Sequence, residues 1–186
     1  MSKIICIGLP KTGTKSLTLA LRALGFNTQH NPHYIRRSLQ LERAEAWDVP
    51  TAPFTAGVDA VTNVLEWDFP RYDKYYPGAK FICTTRDFEG WLTSCHRHFA
   101  APPKNTAMSI VRCSVLGSDT FNCNRFTTTY IAHAQHVASY FADRPADLLT
   151  LPLCNQAAYA NWRALTAFLG VEYDLTQPFP AVKAPF

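Results

Sequence analysis

Three observations in the sequence predict an α/β fold, three α/β/α layers built on a short parallel sheet. Short apolar runs, such as Lys3-Ile4-Ile5-Cys6-Ile7 and Lys80-Phe81-Ile82-Cys83-Thr84-Thr85, alternate with segments of helical periodicity. The runs are continuously apolar, as strands covered on both faces are. A glycine-bounded turn joins the first run to the first helical segment.

The elements follow in order. Lys3 to Ile7 is the first strand and Gly8 to Gly13 a turn. Thr14 to Leu24 reads as a helix with Leu17, Ala20, Leu21 and Leu24 on one face, stopped by Gly25. Phe26 to His30 is a second strand, Pro32 to Ala46 a helix, Pro50 to Gly57 a loop and Val58 to Asn63 a third strand. A helix from Trp67 to Tyr76 ends at Pro77-Gly78. The strand Lys80 to Thr85 comes next, then a helix from Asp87 to Phe99. Ala100 to Asn122 opens on Pro102-Pro103 and shows no clear period. Asn124 to Phe141 is helical, Leu148 to Leu151 is a last strand, and Tyr159 to Leu169 is a helix stopped by Gly170. Right-handed crossovers place the strands' C-terminal ends on one edge, where ligands of such folds bind.

Composition narrows the function. The 186 residues fit one domain, 1–186. With 47% apolar and 17% charged residues the chain supports a packed core and does not read as disordered. No run approaches the ~20 apolar residues of a membrane span. A strand beginning almost at the first residue leaves no secretory signal, so the cytoplasm is the expected compartment. The net charge of +4, from 18 basic and 14 acidic residues, suits a small anionic ligand. No Lys/Arg run points to nucleic acid. The six cysteines form no Cys-x-x-Cys pair and read as reduced thiols, with a Cys113–Cys123 bridge left open.

The first chemical motif is Gly8-Leu9-Pro10-Lys11-Thr12-Gly13-Thr14-Lys15-Ser16. A strand–turn–helix junction converges backbone N–H groups on an anion. Gly13 allows close approach, Thr12, Thr14 and Ser16 offer hydroxyls, and Lys11 and Lys15 offer charge. Gly8 and Gly13 have the spacing of the nucleotide-triphosphate P-loop, but Thr14 follows Gly13 and Lys15 comes one position late. A helix turns about 100° per residue, so Lys15 points elsewhere and the charge inside the loop must come from Lys11. The second motif is Arg86 at the end of the fourth strand with Ser94 on the helix after it. A guanidinium fork and a hydroxyl suit a terminal phosphate.

A lysine within the loop resembles the sulfotransferase family, whose loop reads Pro-Lys-[Ser/Thr]-Gly-Thr; here it is Pro10-Lys11-Thr12-Gly13-Thr14. Arg86 and Ser94 match that family's Arg-x7-Ser pair. The resemblance is to small bacterial- and fungal-type members. It extends through Gly57 to Asn63, Tyr76 to Ile82, Tyr140 to Pro145, Leu148-Leu149, Asn161 to Leu165 and Phe168 to Gly170. It implies a P-loop-like nucleotide-binding fold and the donor 3′-phosphoadenosine 5′-phosphosulfate (PAPS), with PAP as product and no metal required. Lys11, Thr12, Gly13, Thr14, Lys15 and Ser16 would hold the phosphosulfate, and Arg86 with Ser94 the 3′-phosphate. Lys11 would also act on the sulfuryl group in transfer.

Family members place a general base near the second or third strand. Asn63 stands where some carry a His, and it cannot take a proton usefully. His33 is the first expectation for the base and Asp59 the second; His30 and Glu66 are near the same edge. The acceptor is a small molecule, glycan or peptide with a hydroxyl or amine, and its site is expected within Ala100 to Asn122. No distal Gly-rich, Lys-bearing segment is found to close over the nucleotide; another part of Ala100 to Arg125 takes that role, or the pocket is more open, or the second subunit of a homodimer covers it. Two other readings stay open: a P-loop kinase using ATP, and a non-catalytic nucleotide-binding protein of the same fold. His133-x-x-His136 and His96-x-His98 are weak metal patterns and read as packing or surface residues, and Trp91 as core.

Overall fold

The computed structural model describes residues 2–30, 57–63, 66–155 and 157–182. The elements are β1 (Ile4–Cys6), α1 (Thr14–Ala23), β2 (Thr28–His30), β3 (Ala60–Thr62), α2 (Phe69–Tyr75) and β4 (Lys80–Thr84). They continue with α3 (Phe88–Phe99), α4 (Thr106–Leu116), α5 (Cys123–Tyr140), a 3-10 turn (Pro145–Asp147), β5 (Leu148–Leu151) and α6 (Ala158–Leu169). The five strands form one parallel sheet in the order β2-β3-β1-β4-β5. β1 lies at its centre, with Ile5 opposite both Val61 and Phe81.

Strand alternation builds the layers. Ile4 and Cys6 of β1, with Ala60 and Ile82, pack on Leu17 and Leu21 of α1 and on Trp162 and Leu165 of α6. Ile5 and Ile7, with Val61, Phe81 and Cys83, pack on Phe69, Trp91, Phe99, Phe126 and Val137 from α2, α3 and α5. Both faces are therefore covered, and the continuously apolar strands read as inner strands for that reason. Cys6 and Cys83 are buried in this sheet, where desolvation pushes their thiols up, to about 11 and about 12.

Some expectations need revision and others fall on residues outside those described. The segment without a period contains α4. Asn105 caps it, its side chain accepting from the Met108 N–H at 3.0 Å, and Gly117 ends it at φ 73°. Cys113 and Cys123 are both exposed free thiols, so no bridge joins them. The helix expected over Pro32 to Ala46 and residues 50–56 of the expected loop fall outside the described residues, and so does His33.

Candidate functional site

The site forms at the C-terminal end of β1, where the chain turns into α1. Gly8 sits hard against β4: a Cβ there would fall 2.5 Å from the Thr84 carbonyl oxygen. Lys11 and Gly13 take left-handed backbone angles, φ 73° and 104°. Gly13 suits that region; Lys11 does not, and a non-glycine held there is a mark of functional loops. No side chain caps α1. Its first residues, Thr14, Lys15 and Ser16, line a cavity of about 510 Å³ together with Pro10, Lys11 and Gly13. Their N–H groups and the helix dipole favour an anion there.

The far side of this junction is braced from the core. The Trp91 indole, fully buried, donates from Nε1 to the Pro10 carbonyl at 2.9 Å. It packs on Tyr130, whose hydroxyl donates to the Arg86 carbonyl at 2.8 Å. The Asp87 carboxylate caps α3 by accepting from the Gly90 N–H at 2.6 Å. Arg86 and Ser94 both line the cavity. Arg86 Nε is buried and has no hydrogen-bond partner among the described residues. A buried donor without a partner costs about 1–3 kcal/mol, so this guanidinium is built to receive an acceptor.

Lys11, Lys15, Arg86 and Arg112 make the cavity basic, and His98 lines it with them. Burial first, then Lys15 and Arg86, holds the Lys11 ammonium below its usual range. The His98 imidazole is lowered by burial and by Lys11, Arg112 and Lys15. Both shifts follow from burial first and from the neighbouring cations second.

Of the residues expected to act, the structure gathers Lys11, Gly13, Thr14, Lys15, Ser16, Arg86 and Ser94 around one cavity. It does not bring Thr12 there. The Thr12 hydroxyl donates to the Leu9 carbonyl at 2.6 Å and lies 2.6 Å from Thr84 Oγ1, so it fastens the loop to β4 instead of facing a ligand. Asp59 precedes β3 and therefore stands at the N-terminal edge of the sheet, opposite the cavity. Its carboxylate accepts from the Asn27 N–H at 2.9 Å. His30 lines the cavity, but its Nδ1 is engaged 2.9 Å from Thr62 Oγ1 and 3.2 Å from Thr18 Oγ1. Burial, Lys15 and Arg22 lower its imidazole to about 4.

Three more contributors line the cavity; the sequence pointed to the Ala100 to Asn122 stretch and to Glu66 near the edge, and did not single out Val182. Met108, Val111, Arg112, Val115 and Leu116 of α4 form one wall; the cap pair Asn105 and Gly117 was the available signal. Val182 closes another side, its N–H donating to Ser16 Oγ at 3.2 Å, so a C-terminal stretch reaches the helix start. Glu66, 2% exposed, faces the cavity, and burial raises its carboxyl to about 8. His133 and His136 pack on Trp67 instead, with centroids 5.2 and 6.0 Å away. Among the described residues no three His, Cys, Asp or Glu side chains group as metal ligands.

No curated protein matches the chain. Residues 3–118, which contain the loop, Arg86, Ser94 and α4, match the model of the sulfotransferase domain, and the chain therefore belongs to the sulfotransferase family.

Proposed function

We propose that this chain moves a sulfuryl group from PAPS to a hydroxyl or amine acceptor by in-line displacement. One observation carries the choice of donor: the buried, unpartnered Arg86 Nε belongs to a guanidinium that shares a cavity with the Lys11 loop. The two anchors suit the two charged ends of a 3′-phosphorylated nucleotide, and the fit of residues to donor is good. Lys11, Gly13, Thr14, Lys15 and Ser16 would hold the phosphosulfate end, and Arg86 with Ser94 the 3′-phosphate. The donor supplies a sulfuryl group already activated by its bond to phosphate. Lys11 and the α1 N–H groups neutralise charge that grows on the departing phosphate oxygen, a role that depends on fixed dipoles in a sheltered site.

The test is thermal and then chemical. PAP should raise the melting temperature without magnesium, by the few degrees that a ligand at about a hundred times its Kd confers on a chain of this length. Labelled PAPS with a panel of acceptors should then yield labelled product. A shift that needs ATP and magnesium would replace this reading with phosphoryl transfer. Binding of PAP with no transfer to any acceptor would make the chain a nucleotide-binding protein.

A further inference from the structure

We propose that the α4 side of the cavity is the acceptor subsite, that it takes a hydroxyl carried on an apolar body, and that Glu66 receives the hydroxyl proton. The proposal rests on the sulfotransfer reading.

The cavity has two unlike halves. The loop and Arg86 half is basic and hydroxyl-rich. The other half is carbon: Phe99, Met108, Val111, Val115 and Leu116. Such a wall rewards apolar contact and leaves the hydroxyls of a sugar without hydrogen-bond partners. The one charge on α4 that reaches the cavity is already in use. Arg112 donates to the Ala101 and Asp119 carbonyls at 3.1 and 2.9 Å, and its guanidinium lies 5.0 Å from the Phe99 ring centroid. It braces the wall.

Glu66 is tied to that wall through its neighbour. Trp67 Nε1 donates to the Val115 carbonyl at 3.0 Å, and His133 Nε2 lies 3.3 Å from the Glu66 carbonyl oxygen. These bonds fix the Glu66 backbone beside α4 and α5, and the residue lines the cavity there. Among the described residues the recorded ion pairs are those of Arg144 with Asp73 and Asp147, so Glu66 takes part in none of them. A carboxylate with this placement suits proton transfer better than the alternatives. Asp59 is at the wrong edge, and His30 is a weak base whose Nδ1 is occupied.

In the step proposed, the acceptor oxygen bonds to sulfur while its proton passes to a Glu66 oxygen. The bond between sulfur and the bridging oxygen breaks, and its electron pair leaves on PAP. Glu66 must be ionised to act. Desolvation keeps its proton on up to about pH 8, so the rate rises with pH and levels above that value. Lys11, Lys15, His30, Arg86, His98 and Arg112 share the cavity with it. Cys6 and Tyr72 lie close enough to couple to its charge, Asp68 couples to Tyr72, and His133 is on its backbone.

The experiment pairs binding with rate. 2-Naphthol, an apolar phenol, is titrated by fluorescence into the PAP-loaded protein, with N-acetylglucosamine as the polar counterpart. Expected are saturable binding of 2-naphthol, no competition by the sugar, and binding at least about tenfold weaker in Val111→Asp, with the PAP melting shift kept. Glu66→Gln should keep both binding events, lose about 10²–10⁴-fold in kcat, and lose the rise towards pH 8. Weakened PAP with intact 2-naphthol binding in Val111→Asp would give the wall to adenine and overturn the proposal. So would unchanged kcat in Glu66→Gln, or a wild-type profile flat from pH 6 to 9, which needs no variant. A wild type that fails to bind PAP strikes the donor reading instead, and the naphthol titration on the free protein then decides the acceptor subsite by itself.

Discussion

The two halves of the cavity are assembled by different means. The loop half comes mainly from one junction, Pro10, Lys11 and Gly13 to Ser16 after β1, with Arg86 added from the end of β4. The α4 half is made of side chains brought together only by tertiary packing: Glu66 after β3, Phe99 at the end of α3, and the apolar residues of α4. The first half is held largely in one junction, so its geometry can be written in a short motif. The second half has to fit one acceptor, so it is free to be built from whatever packs there.

The sharpest way to break this division is at Lys11. Lys11→Ala removes the only cation within the bend while keeping the φ 73° backbone requirement. Turnover should fall by about 10²–10³-fold, as for a lost electrostatic donor, with 2-naphthol binding unchanged. Single-turnover rates with saturating donor measure it. A variant with near-normal rates removes Lys11 from the chemistry.

A smaller effect should appear at the other end of the donor. The Arg86 fork can make two parallel bonds to a phosphate, and a lysine can make only point contact. In Arg86→Lys the affinity for PAP should drop by about ten- to a hundredfold, the worth of one charge-assisted hydrogen bond. AMP, which lacks the 3′-phosphate, should bind wild type and variant alike. Calorimetric titration of both nucleotides reads the difference. Equal losses for PAP and AMP would move the 3′-phosphate away from Arg86.

Much of the loop half of the cavity was legible before any coordinates. Glycines, hydroxyls and a lysine in one junction announce an anion, and Arg86 at a strand's end announces a second. Thr12 was misread because the partners of its hydroxyl cannot be seen in the motif: one of them, Thr84, is 72 residues away. Asp59 stood at the start of the expected strand, Val58 to Asn63, so its place at the N-terminal edge was already legible and was passed over. Asp59 precedes β3, whereas Asn63 follows it and reaches the cavity. Glu66 was noted near the edge, but its burial depends on α4, α5 and α2 closing around it, which no local pattern encodes. The α4 helix was hidden because its caps, Asn105 and Gly117, were read as parts of an irregular stretch.

The smallest expected effect tests whether the halves are mechanically separate. Trp91 belongs to the core, yet its Nε1 holds the Pro10 carbonyl next to Lys11. Trp91→Phe keeps an aromatic ring against Phe126 and Tyr130 but leaves that carbonyl without its donor. The lost hydrogen bond and the reduced ring volume together should cost about 1–3 kcal/mol of stability, readable as a lower urea midpoint at constant slope. The loop, freed at Pro10, should also hold PAP less well by a few fold. The hydrogen bonds that fasten the α4 wall come from Trp67 and Arg112, so 2-naphthol should bind the variant as it binds wild type. If both ligands weaken together, the core transmits strain to the whole cavity, and the division into a donor half and an acceptor half describes chemistry without describing mechanics.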